Sequence, residues 1–553
     1  MKSPYSFLIS CFAIAFTFFL NSPLDLRAAE PVKKKLIELG WDIPTTEYLA
    51  KHWREMEENA PFDGVIYDLV GKSPDGAQYA SQRLFTKDAW NREWFNSCVE
   101  DLKSCQFERF HDNFIRINFY PADFDWADDE AWNNVCEKAA VCAWVARETG
   151  GNLCFDFESY GAQMFKHNAS TGRSFEESKR IARRRGAEMC AAIVKEYPEV
   201  TILCLWMNSI NVAAGRSPKP DLTLRDFSYG LLPSFIDGLL DSVVPETILI
   251  DGCENGYYLN GNEYDRAACD VFLETGPSVA LVAPENRKKY RTQTRVGFGF
   301  YLDMYSNPEG SRYYRGPEEG ETRFERLEIN LRAALNAADQ YVWVYGEQKR
   351  WWAPDDHNKP WTSWEEALPG LSRLIDELNN PQKVLQDLKK RVLDDKSSVN
   401  LARNADFERV DANGRPLEWS TWQIETDPTG EFVAENGAAV IKHAVNAVYI
   451  QSIPVEPGQR YFVTCKASEQ GENSAGIRIR WNDSDGRWTQ QSLDVLSFID
   501  PSSDPDEQGR REIVATAVVP DKAYKLVLLL TSSGGDPNGS ASFDDVRIYR
   551  VDD

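Results

Sequence analysis

The sequence predicts an α/β fold, a (β/α)8 TIM barrel, followed by an all-β jelly-roll sandwich domain. From residue 34 to about residue 350, eight short apolar runs alternate with longer amphipathic stretches, which is the element order of a barrel of parallel strands. After about residue 400, alternating apolar runs are broken by Gly, Pro, Asp and Ser, which is the pattern of a β-sandwich.

The eight apolar runs are the predicted barrel strands. They begin at Lys35, Phe62, Asn113, Asn152, Val200, Glu246, Thr294 and Tyr341. The stretches between them, for example residues 129–148 and 175–197, have the periodicity of amphipathic helices. A doubly wound sheet is the alternative, but neither a GxGxxG nor a P-loop motif follows any of the runs.

The chain divides into a predicted signal peptide (1–29), a barrel domain (30–375), a closing helix with a linker (376–397) and the sandwich (398–553). Lys2 precedes an apolar run, Phe7 to Leu20, that has the length of a signal peptide and is too short for a confident membrane span. Small residues at Ala28 and Ala29 suit cleavage. We therefore expect a secreted or periplasmic protein that has no membrane attachment once the signal is removed.

Charge and composition exclude some partners. The chain has 62 basic and 86 acidic residues, and its net charge of −24 argues against a nucleic-acid partner. Aromatic residues make up 12%, with 17 Trp, which suits sugar-stacking clefts and also large cores. No zinc-type cysteine spacing occurs, but either Cys98 with Cys105 or Cys136 with Cys142 is a candidate disulfide in an oxidising compartment.

The C-terminal part resembles a known family of modules. "NLARNADFERVDANGRPLEWSTW" from Asn400 and "ASFDDVRIYRV" from Ala541 are similar to the two ends of jelly-roll carbohydrate-binding modules of bacterial cellulases and xylanases. That resemblance implies a structural calcium with oxygen ligands near both termini, at Glu408 and Asp544. An ordinary surface carboxylate pair is the alternative. Three tryptophans are candidates either for sugar platforms or for core packing: Trp422, Trp481 and Trp488.

Polar and aromatic residues collect where the predicted barrel strands end, which is where (β/α)8 enzymes carry their chemistry. The candidate catalytic residues are Asp156, Glu158, Asp251, Glu254 and Glu347. The candidate substrate-binding residues are Asp42, Asn118, Tyr120, Tyr160, Trp206, Asn208, Trp343 and Tyr345. Each acid alone could cap a helix or pair with an arginine, but carboxylates and rings converge here from several strands.

Two carboxylates stand two residues apart in "GGNLCFDFESYG". Strand alternation places Asp156 and Glu158 on one face, and burying two unpartnered charges is costly. Glycoside cleavage requires a protonated carboxylic acid and a second carboxylate, and neighbouring charges keep one acid protonated. We therefore expect Glu158 to be the acid/base, with Asp156 orienting it or the substrate. Lys349, Arg350 and Arg116 are candidates for binding an acidic or sulfated sugar.

Two barrel families have a similar fourth strand. "LCFDFESY" resembles the D-x-D-x-E strand of chitinase-like barrels, although Cys154 stands where the first acid of that signature would be. It also resembles the strand of α-galactosidase-like barrels, which implies that Asp156 is the nucleophile and Asp251, on strand six, is the acid. Both resemblances imply a glycoside hydrolase.

The expected function is therefore a secreted glycoside hydrolase, with no cofactor for catalysis, that cleaves a poly- or oligosaccharide and carries a carbohydrate-binding module. Two alternatives stay open. One is a non-catalytic glycan-binding protein of the cell surface or periplasm. The other is a barrel enzyme of another chemistry, such as a lyase or an epimerase.

Overall fold

The computed structural model describes residues 33–158, 160, 162–354, 360–394, 398–425, 430–501, 503–534 and 538–551. The predicted signal peptide, residues 1–29, lies outside the described residues. In the described ranges, no helix is both long and apolar enough to cross a membrane.

The predicted (β/α)8 barrel is confirmed. Its region contains the strands β1 (Lys35–Gly40), β2 (Gly64–Tyr67), β3 (Val70–Lys72), β4 (Gln78–Ala80), β5 (Phe114–Asn118), β6 (Asn152–Asp156), β7 (Thr201–Cys204), β8 (Ile248–Asp251), β9 (Thr294–Val296), β10 (Phe298–Tyr301) and β11 (Tyr341–Gly346). All except the hairpin β3–β4 form one sheet in the order β10-β11-β1-β2-β5-β6-β7-β8-β9. The ladders within this sheet are parallel.

The seventh predicted strand is divided in two at Gly297, which corrects the expectation of one continuous strand. Its first part, β9, pairs with β8, and its second part, β10, pairs with β11. A Cβ atom at Gly297 would lie 2.9 Å from the Tyr341 carbonyl oxygen, so a side chain has no room at this break. Because β9 and β10 are consecutive along the chain, the divided strand joins the two ends of the sheet and closes the barrel.

Helices cover the barrel between and after the strands. They are α1 (Thr46–Asn59), α2 (Asn96–Ser104), α3 (Asp129–Thr149), α4 (Phe175–Glu196), α5 (Val212–Gly215), α6 (Pro220–Leu224), α7 (Leu232–Ser242), α8 (Glu263–Phe272), α9 (Pro277–Ala280), α10 (Arg287–Gln293), α11 (Asp303–Ser306), α12 (Arg323–Ala337), α13 (Trp364–Ala367), α14 (Leu371–Asn379) and α15 (Pro381–Asp394). The long helices α4 and α12 begin with capping boxes at Ser174 and Thr322, which fix where these helices start.

The predicted β-sandwich is also confirmed. Its strands are β12 (Ser420–Gln423), β13 (Glu431–Glu435), β14 (Ala438–Lys442), β15 (Asn446–Pro454), β16 (Arg460–Gln470), β17 (Ser474–Asn482), β18 (Val495–Phe498), β19 (Arg511–Val518), β20 (Lys525–Ser533) and β21 (Ser540–Val551). They form two antiparallel sheets, β12-β15-β20-β17-β18 and β13-β14-β21-β16-β19. Alternate residues, such as Ile477 and Ile479, fill the core between the sheets.

Helix α15 packs on the outer face of the second sheet. Leu388 and Val392 of the helix form an apolar cluster with Phe462 and Val551 of the sandwich. The predicted closing helix and linker, residues 376–397, is therefore mostly helix in its described part. The domain boundaries themselves stay predictions.

Neither of the two candidate disulfides is present. The ten cysteines of the described residues are all free thiols, including Cys98, Cys105, Cys136 and Cys142. Cys98 and Cys142 lie in the apolar core of the barrel, and burial raises the pKa of both thiols. These cysteines therefore act as small apolar core residues.

Candidate active site

A cavity of about 770 Å³ opens at the carboxyl ends of the barrel strands. Five acidic side chains line it: Asp68, Asp156, Glu158, Glu254 and Glu347. They come from strands β2, β6, β8 and β11 or from the residues just after them, so the barrel brings together groups that are up to 279 residues apart, from 68 to 347. This is the end of the barrel at which parallel strands present their loops.

Asp156, the last residue of β6, lies at the base of the cavity and is held from two sides. The backbone N–H of Glu158 donates to its Oδ1 atom at 3.0 Å, and Asn118 Nδ2 donates to its Oδ2 atom at 3.0 Å. Burial, with a contribution from the charge of Glu158, raises the pKa of Asp156 to about 7, while the guanidinium of Arg116 opposes this rise. Asp156 is therefore a fixed carboxyl group that titrates near neutral pH.

Glu254 begins a short 3₁₀ helix three residues after the end of β8. Burial, followed by the charges of Glu158 and Asp156, raises its pKa to about 8. The side chain has a high pKa because like charges close together in a partly dehydrated site disfavour the ionised form. At neutral pH, Glu254 is therefore mostly protonated and able to donate a proton.

Glu158 follows β6 and is half-buried at the wall of the cavity. Tyr160 lies at the mouth of the cavity and is largely exposed. The charge of Glu158 raises the pKa of Glu254, because the βα loops of strands β6 and β8 bring both acids to the same cavity. Two carboxyl groups from different strands thus face one open space.

Arg116 forms a bidentate ion pair inside the cavity. Its Nε and Nη2 atoms donate to the two carboxylate oxygens of Asp68 at 3.0 and 2.7 Å, and Nη2 also approaches Gln82 Oε1 at 3.3 Å. This pairing occupies the Nε–Nη2 edge of the guanidinium, whose donors would bind the carboxylate of an acidic sugar. Lys349 and Arg350, the other two candidates for an acidic sugar, do not line the cavity.

Aromatic rings form the opposite wall of the cavity, along strands β8 to β11 and β1. Tyr257 and Tyr345 stack with their ring centroids 5.9 Å apart and their planes 7° apart, and Tyr257 also meets Trp343 edge-on at 5.4 Å. The Trp41 indole N–H donates to the Tyr345 hydroxyl at 2.9 Å. Rings are therefore concentrated on the side of the cavity formed by strands β8 to β11 and β1, where Glu254 and Glu347 also lie.

Glu347 lies at the rim, just after β11. The Tyr345 hydroxyl donates to its Oε1 atom at 3.3 Å. The carboxylate of Asp303, which is completely buried, accepts hydrogen bonds from the backbone N–H groups of Glu347 and Gln348 at 2.7 and 3.3 Å. Asp303 therefore fixes the loop that carries Glu347.

Most of the residues predicted for the site line the cavity. They are Asp156, Glu158, Glu254, Glu347, Asn118, Tyr120, Tyr160, Trp343 and Tyr345. Their placement is as expected, while their roles stay predictions. Four predicted residues lie elsewhere: Asp251, Asp42, Trp206 and Asn208.

The expected placement of Asp251 and Asp42 is corrected: neither residue lines the cavity, and both carboxylates accept hydrogen bonds from backbone N–H groups. Asp251 has no exposed surface and accepts from the N–H groups of Met207 and Ser209 at 2.9 and 3.0 Å. Asp42 accepts from the Trp351 N–H at 3.1 Å.

The expected placement of Trp206 and Asn208 is corrected because β7 ends at Cys204: Trp206 lies in the loop that follows, and Asn208 begins a 3₁₀ helix, Asn208–Asn211. Trp206 is 1% exposed and packs edge-on against Tyr229. Asn208 is completely buried and donates to the Ser278 carbonyl at 3.2 Å. Both side chains belong to the packing around the barrel.

The sequence reasoning missed several residues of the cavity wall: Gln82, Arg83, Asn255, Tyr257, Tyr258, Tyr301 and Tyr313. Tyr257 and Tyr258 follow Glu254 closely in "ENGYY", so their position after strand six was an available signal. Tyr301 occupies the end of the predicted seventh strand. Tyr313 lies in a loop whose path the sequence does not reveal.

The proposed calcium ligands lie in the sandwich. Asp544 forms an ion pair with Arg510 at 2.6 Å, and Glu408 is exposed. Among the described residues, no group of three or more His, Cys, Asp or Glu side chains is arranged to hold a metal ion. Calcium at Glu408 and Asp544 stays a prediction. Of the three tryptophans, Trp481 is core, whereas Trp422 and Trp488 are 48% and 52% exposed.

Comparisons with known proteins give only distant similarities. No family model matches the chain, and no curated protein matches it. A Bacteroides thetaiotaomicron structure described as a "putative alpha-L-fucosidase" is 11% identical over 94% of this chain and 95% of that one, with a TM-score of 0.29.

Two further solved structures are similar to a smaller part of the chain. One, described as "CBM4 structure and function", is 19% identical over 27% of this chain and 99% of that chain, with a TM-score of 0.20. The CBM22-1–GH10 modules of the Clostridium thermocellum endo-1,4-beta-D-xylanase 10B, complexed with xylohexaose, are 14% identical, with a TM-score of 0.19. This chain and the xylanase structure each overlap over only 28% of their length. These similarities assign no activity to the chain.

Proposed function

We propose that this protein is a glycoside hydrolase that cleaves an oligo- or polysaccharide in the barrel cavity. The observation that carries the proposal is that Glu254, Glu158 and Asp156 line one open cavity that aromatic rings also line. Glycoside cleavage uses a proton donor and a second carboxylate on either side of the scissile bond, and rings pack against the apolar faces of sugars.

Glu254 is the proton donor in this proposal. Its pKa of about 8 keeps it protonated at neutral pH, and it reaches the cavity from the loop after β8. The sequence predicted Glu158 as the acid/base, and the α-galactosidase-like resemblance implied Asp251 as the acid, but the Asp251 carboxylate is buried among backbone donors. Glu254 takes the role because it is the acid near the end of β8 that faces open space.

Glu158 and Asp156 are the two candidates for the second carboxylate. Glu158 is the more accessible one, and its charge contributes to the high pKa of Glu254. Both oxygens of Asp156 already accept hydrogen bonds, which suits a group that orients a sugar hydroxyl or holds Glu158 in place. We therefore assign Glu158 as the nucleophile or general base and Asp156 as its support.

The sandwich is proposed to hold the same polysaccharide. The outer face of its second sheet is covered by α15, whereas the outer face of the first sheet carries the exposed side chains of Trp422, Leu496 and Phe498. An exposed sheet face with rings at both edge strands suits stacking on a sugar chain. A cleavage domain joined to such a module stays close to its substrate.

A panel of polysaccharides tests the proposal, with released reducing ends measured for the wild type, Glu254→Gln and Glu158→Gln. The wild type should release reducing ends from at least one neutral glycan, and both variants should lose 100-fold or more in rate, which is the usual contribution of a general acid or base. Glu246→Gln is the matched control, because Glu246 is exposed and lies at the opposite end of β8.

The same panel distinguishes a glycoside hydrolase from the alternative, a non-catalytic glycan-binding protein. That alternative predicts binding of a glycan by the wild type without release of reducing ends, and equal binding by both variants. An unsaturated product that absorbs ultraviolet light would instead indicate a lyase.

A further inference from the structure

The turn between β8 and Glu254 is anchored to the neighbouring strand by one carboxylate. Asp251 Oδ1 accepts from the Met207 N–H at 2.9 Å and from the Ser209 hydroxyl at 2.5 Å, while Oδ2 accepts from the Ser209 N–H at 3.0 Å. Asp251 is completely buried, so these donors replace water around it. A single side chain therefore joins the end of strand β8 to the loop after strand β7.

The residue between this anchor and the proposed acid has an unusual backbone. Cys253 has a φ of 37°, in the left-handed region that residues other than glycine seldom adopt. Its N–H approaches Asp251 Oδ1 at 3.4 Å. Glu254 comes next, and its own N–H donates to the Leu205 carbonyl at 3.1 Å. A strained conformation of this kind persists only where surrounding contacts enforce it.

The middle of the turn is confined as well. The Gly252 N–H donates to the Cys204 carbonyl at 2.8 Å, and the Gly252 carbonyl accepts from Trp343 Nε1 at 2.8 Å. A Cβ atom at Gly252 would lie 2.6 Å from the Cys204 oxygen. The backbone that leads to Glu254 is therefore held by the neighbouring strand β7 and by the Trp343 side chain of strand β11.

We propose that Asp251 is a positioning residue that holds the left-handed turn at Cys253 and thereby places the Glu254 carboxyl group in the cavity. This inference rests on the proposed function of Glu254 as the proton donor. Without the Asp251 carboxylate, Cys253 relaxes to an ordinary backbone conformation and Glu254 moves away from Glu158.

Two sets of polar and titratable groups surround the two acids. Asp251 is surrounded by Cys204, Ser209, Cys253 and Tyr290. Glu254 is surrounded by Asp156, Glu158, Tyr257 and Tyr258. The sets do not overlap, so a change at Asp251 reaches the pKa of Glu254 through the position of the turn and not through a shared titrating neighbour.

Asp251→Asn is the first test, measured as kcat, KM and pH profile on the best substrate of the panel. Asparagine keeps the shape but replaces one acceptor oxygen with an NH2 group, which cannot accept the backbone N–H. We expect kcat to fall about 10- to 100-fold, as for a misplaced catalytic group, with KM within about threefold. The fall of activity at high pH should begin at lower pH, because a more hydrated Glu254 has a lower pKa.

Asp237→Asn is the matched control. Asp237 is 7% exposed, lies in α7 and accepts the Ala283 N–H at 3.0 Å, so it is a buried backbone acceptor outside the cavity. This variant should lower the melting temperature and leave the pH profile unchanged. Ser209→Ala, which removes the hydroxyl donor alone, should move the pH profile in the same direction as Asp251→Asn by a smaller amount. This variant replaces Asp251→Asn as the test if Asp251→Asn does not fold.

The results distinguish the two proposals. If Glu254→Gln loses activity but the folded Asp251→Asn enzyme keeps the wild-type kcat and pH profile, the positioning role is wrong and the proposed function stands. The positioning role is also wrong if Asp251→Asn and Ser209→Ala lose rate without a shift in profile. If Glu254→Gln keeps the wild-type rate, the proposed function itself fails.

Discussion

Glu158 and Glu254, which are 96 residues apart in the chain by their numbers, reach the same cavity from the loops that follow strands β6 and β8. The charge of Glu158 contributes to the high pKa of Glu254. Because strand β7 alone separates these two strands in the sheet, the two loops are near neighbours at the rim of the barrel. The predictions below follow from this relationship and from the groups around it.

Activity should fall as the pH rises through about 8. The proposed proton donor, Glu254, has a pKa of about 8 in the free protein, and its ionised form cannot protonate the leaving oxygen. Asp156→Asn removes one of the two negative charges that raise this pKa, so the fall should begin at lower pH in that variant. Values of kcat/KM measured from pH 5 to 10 for both proteins check this. A wild-type kcat/KM that stays constant up to pH 10 would contradict the prediction.

Glu254→Gln should stabilise the protein at high pH. The folded-state pKa lies above the usual value of 4.5, so ionising Glu254 costs folding stability, and this cost grows between about pH 4.5 and pH 8. At pH 9 the variant should be more stable by about 1–4 kcal/mol, and at pH 4 the two proteins should be equal within error. Urea unfolding at both pH values measures the difference.

The control for this stability test is Glu246→Gln. Glu246 is exposed at the opposite end of β8, so its replacement should leave stability unchanged at both pH values. An equal gain in stability in both variants would mean that the effect arises from removing one negative charge from a highly negative protein.

Tyr345→Phe should weaken substrate binding without stopping the reaction. The Tyr345 hydroxyl accepts from Trp41 and donates to Glu347, so its loss frees two side chains of the cavity wall. We expect KM to rise about three- to tenfold, the effect of losing about 1 kcal/mol of hydrogen bonding, with kcat within twofold. Tyr341→Phe is the matched control, because its hydroxyl binds Asp112 at the other end of the same strand.

Trp422→Ala should reduce binding to polysaccharide without changing the turnover of a short oligosaccharide. The ring is 48% exposed on the open face of the sandwich, opposite Val448 of the next strand. Loss of an exposed stacking ring should weaken binding about 10-fold or more, and Trp422→Phe should retain part of it. Pull-down with an insoluble form of the polysaccharide that the enzyme cleaves measures this. Equal binding by all three proteins would show that Trp422 does not contribute to polysaccharide binding.

The repeating patterns of the sequence predicted the fold and the placement of several residues that line the cavity. Period-two alternation placed Asp156 and Glu158 on one face at the end of strand four, and both line the cavity. The parity of the eighth strand likewise placed Trp343 and Tyr345 in the wall. These predictions worked because strand geometry is local and barrel closure brings strand ends together.

The turn after β8 could not be predicted in the same way. Alternation gives no reason to prefer Glu254 over Asp251, because the choice depends on a left-handed backbone at Cys253, and a cysteine does not signal one. The loop after β7 presents the same difficulty for Trp206. The strand ends at Cys204, two residues before the predicted position, so the ring packs outside the cavity.

The proton-donor role of Glu254 is tested most directly with two substrates that share a sugar and differ in leaving group. A dinitrophenyl glycoside needs no proton to depart, whereas an alkyl or sugar leaving group does. Glu254→Gln should lose at least about 100-fold in kcat/KM on the unactivated substrate and less than about tenfold on the dinitrophenyl glycoside. Equal losses on both substrates would contradict the assignment of Glu254 as the acid.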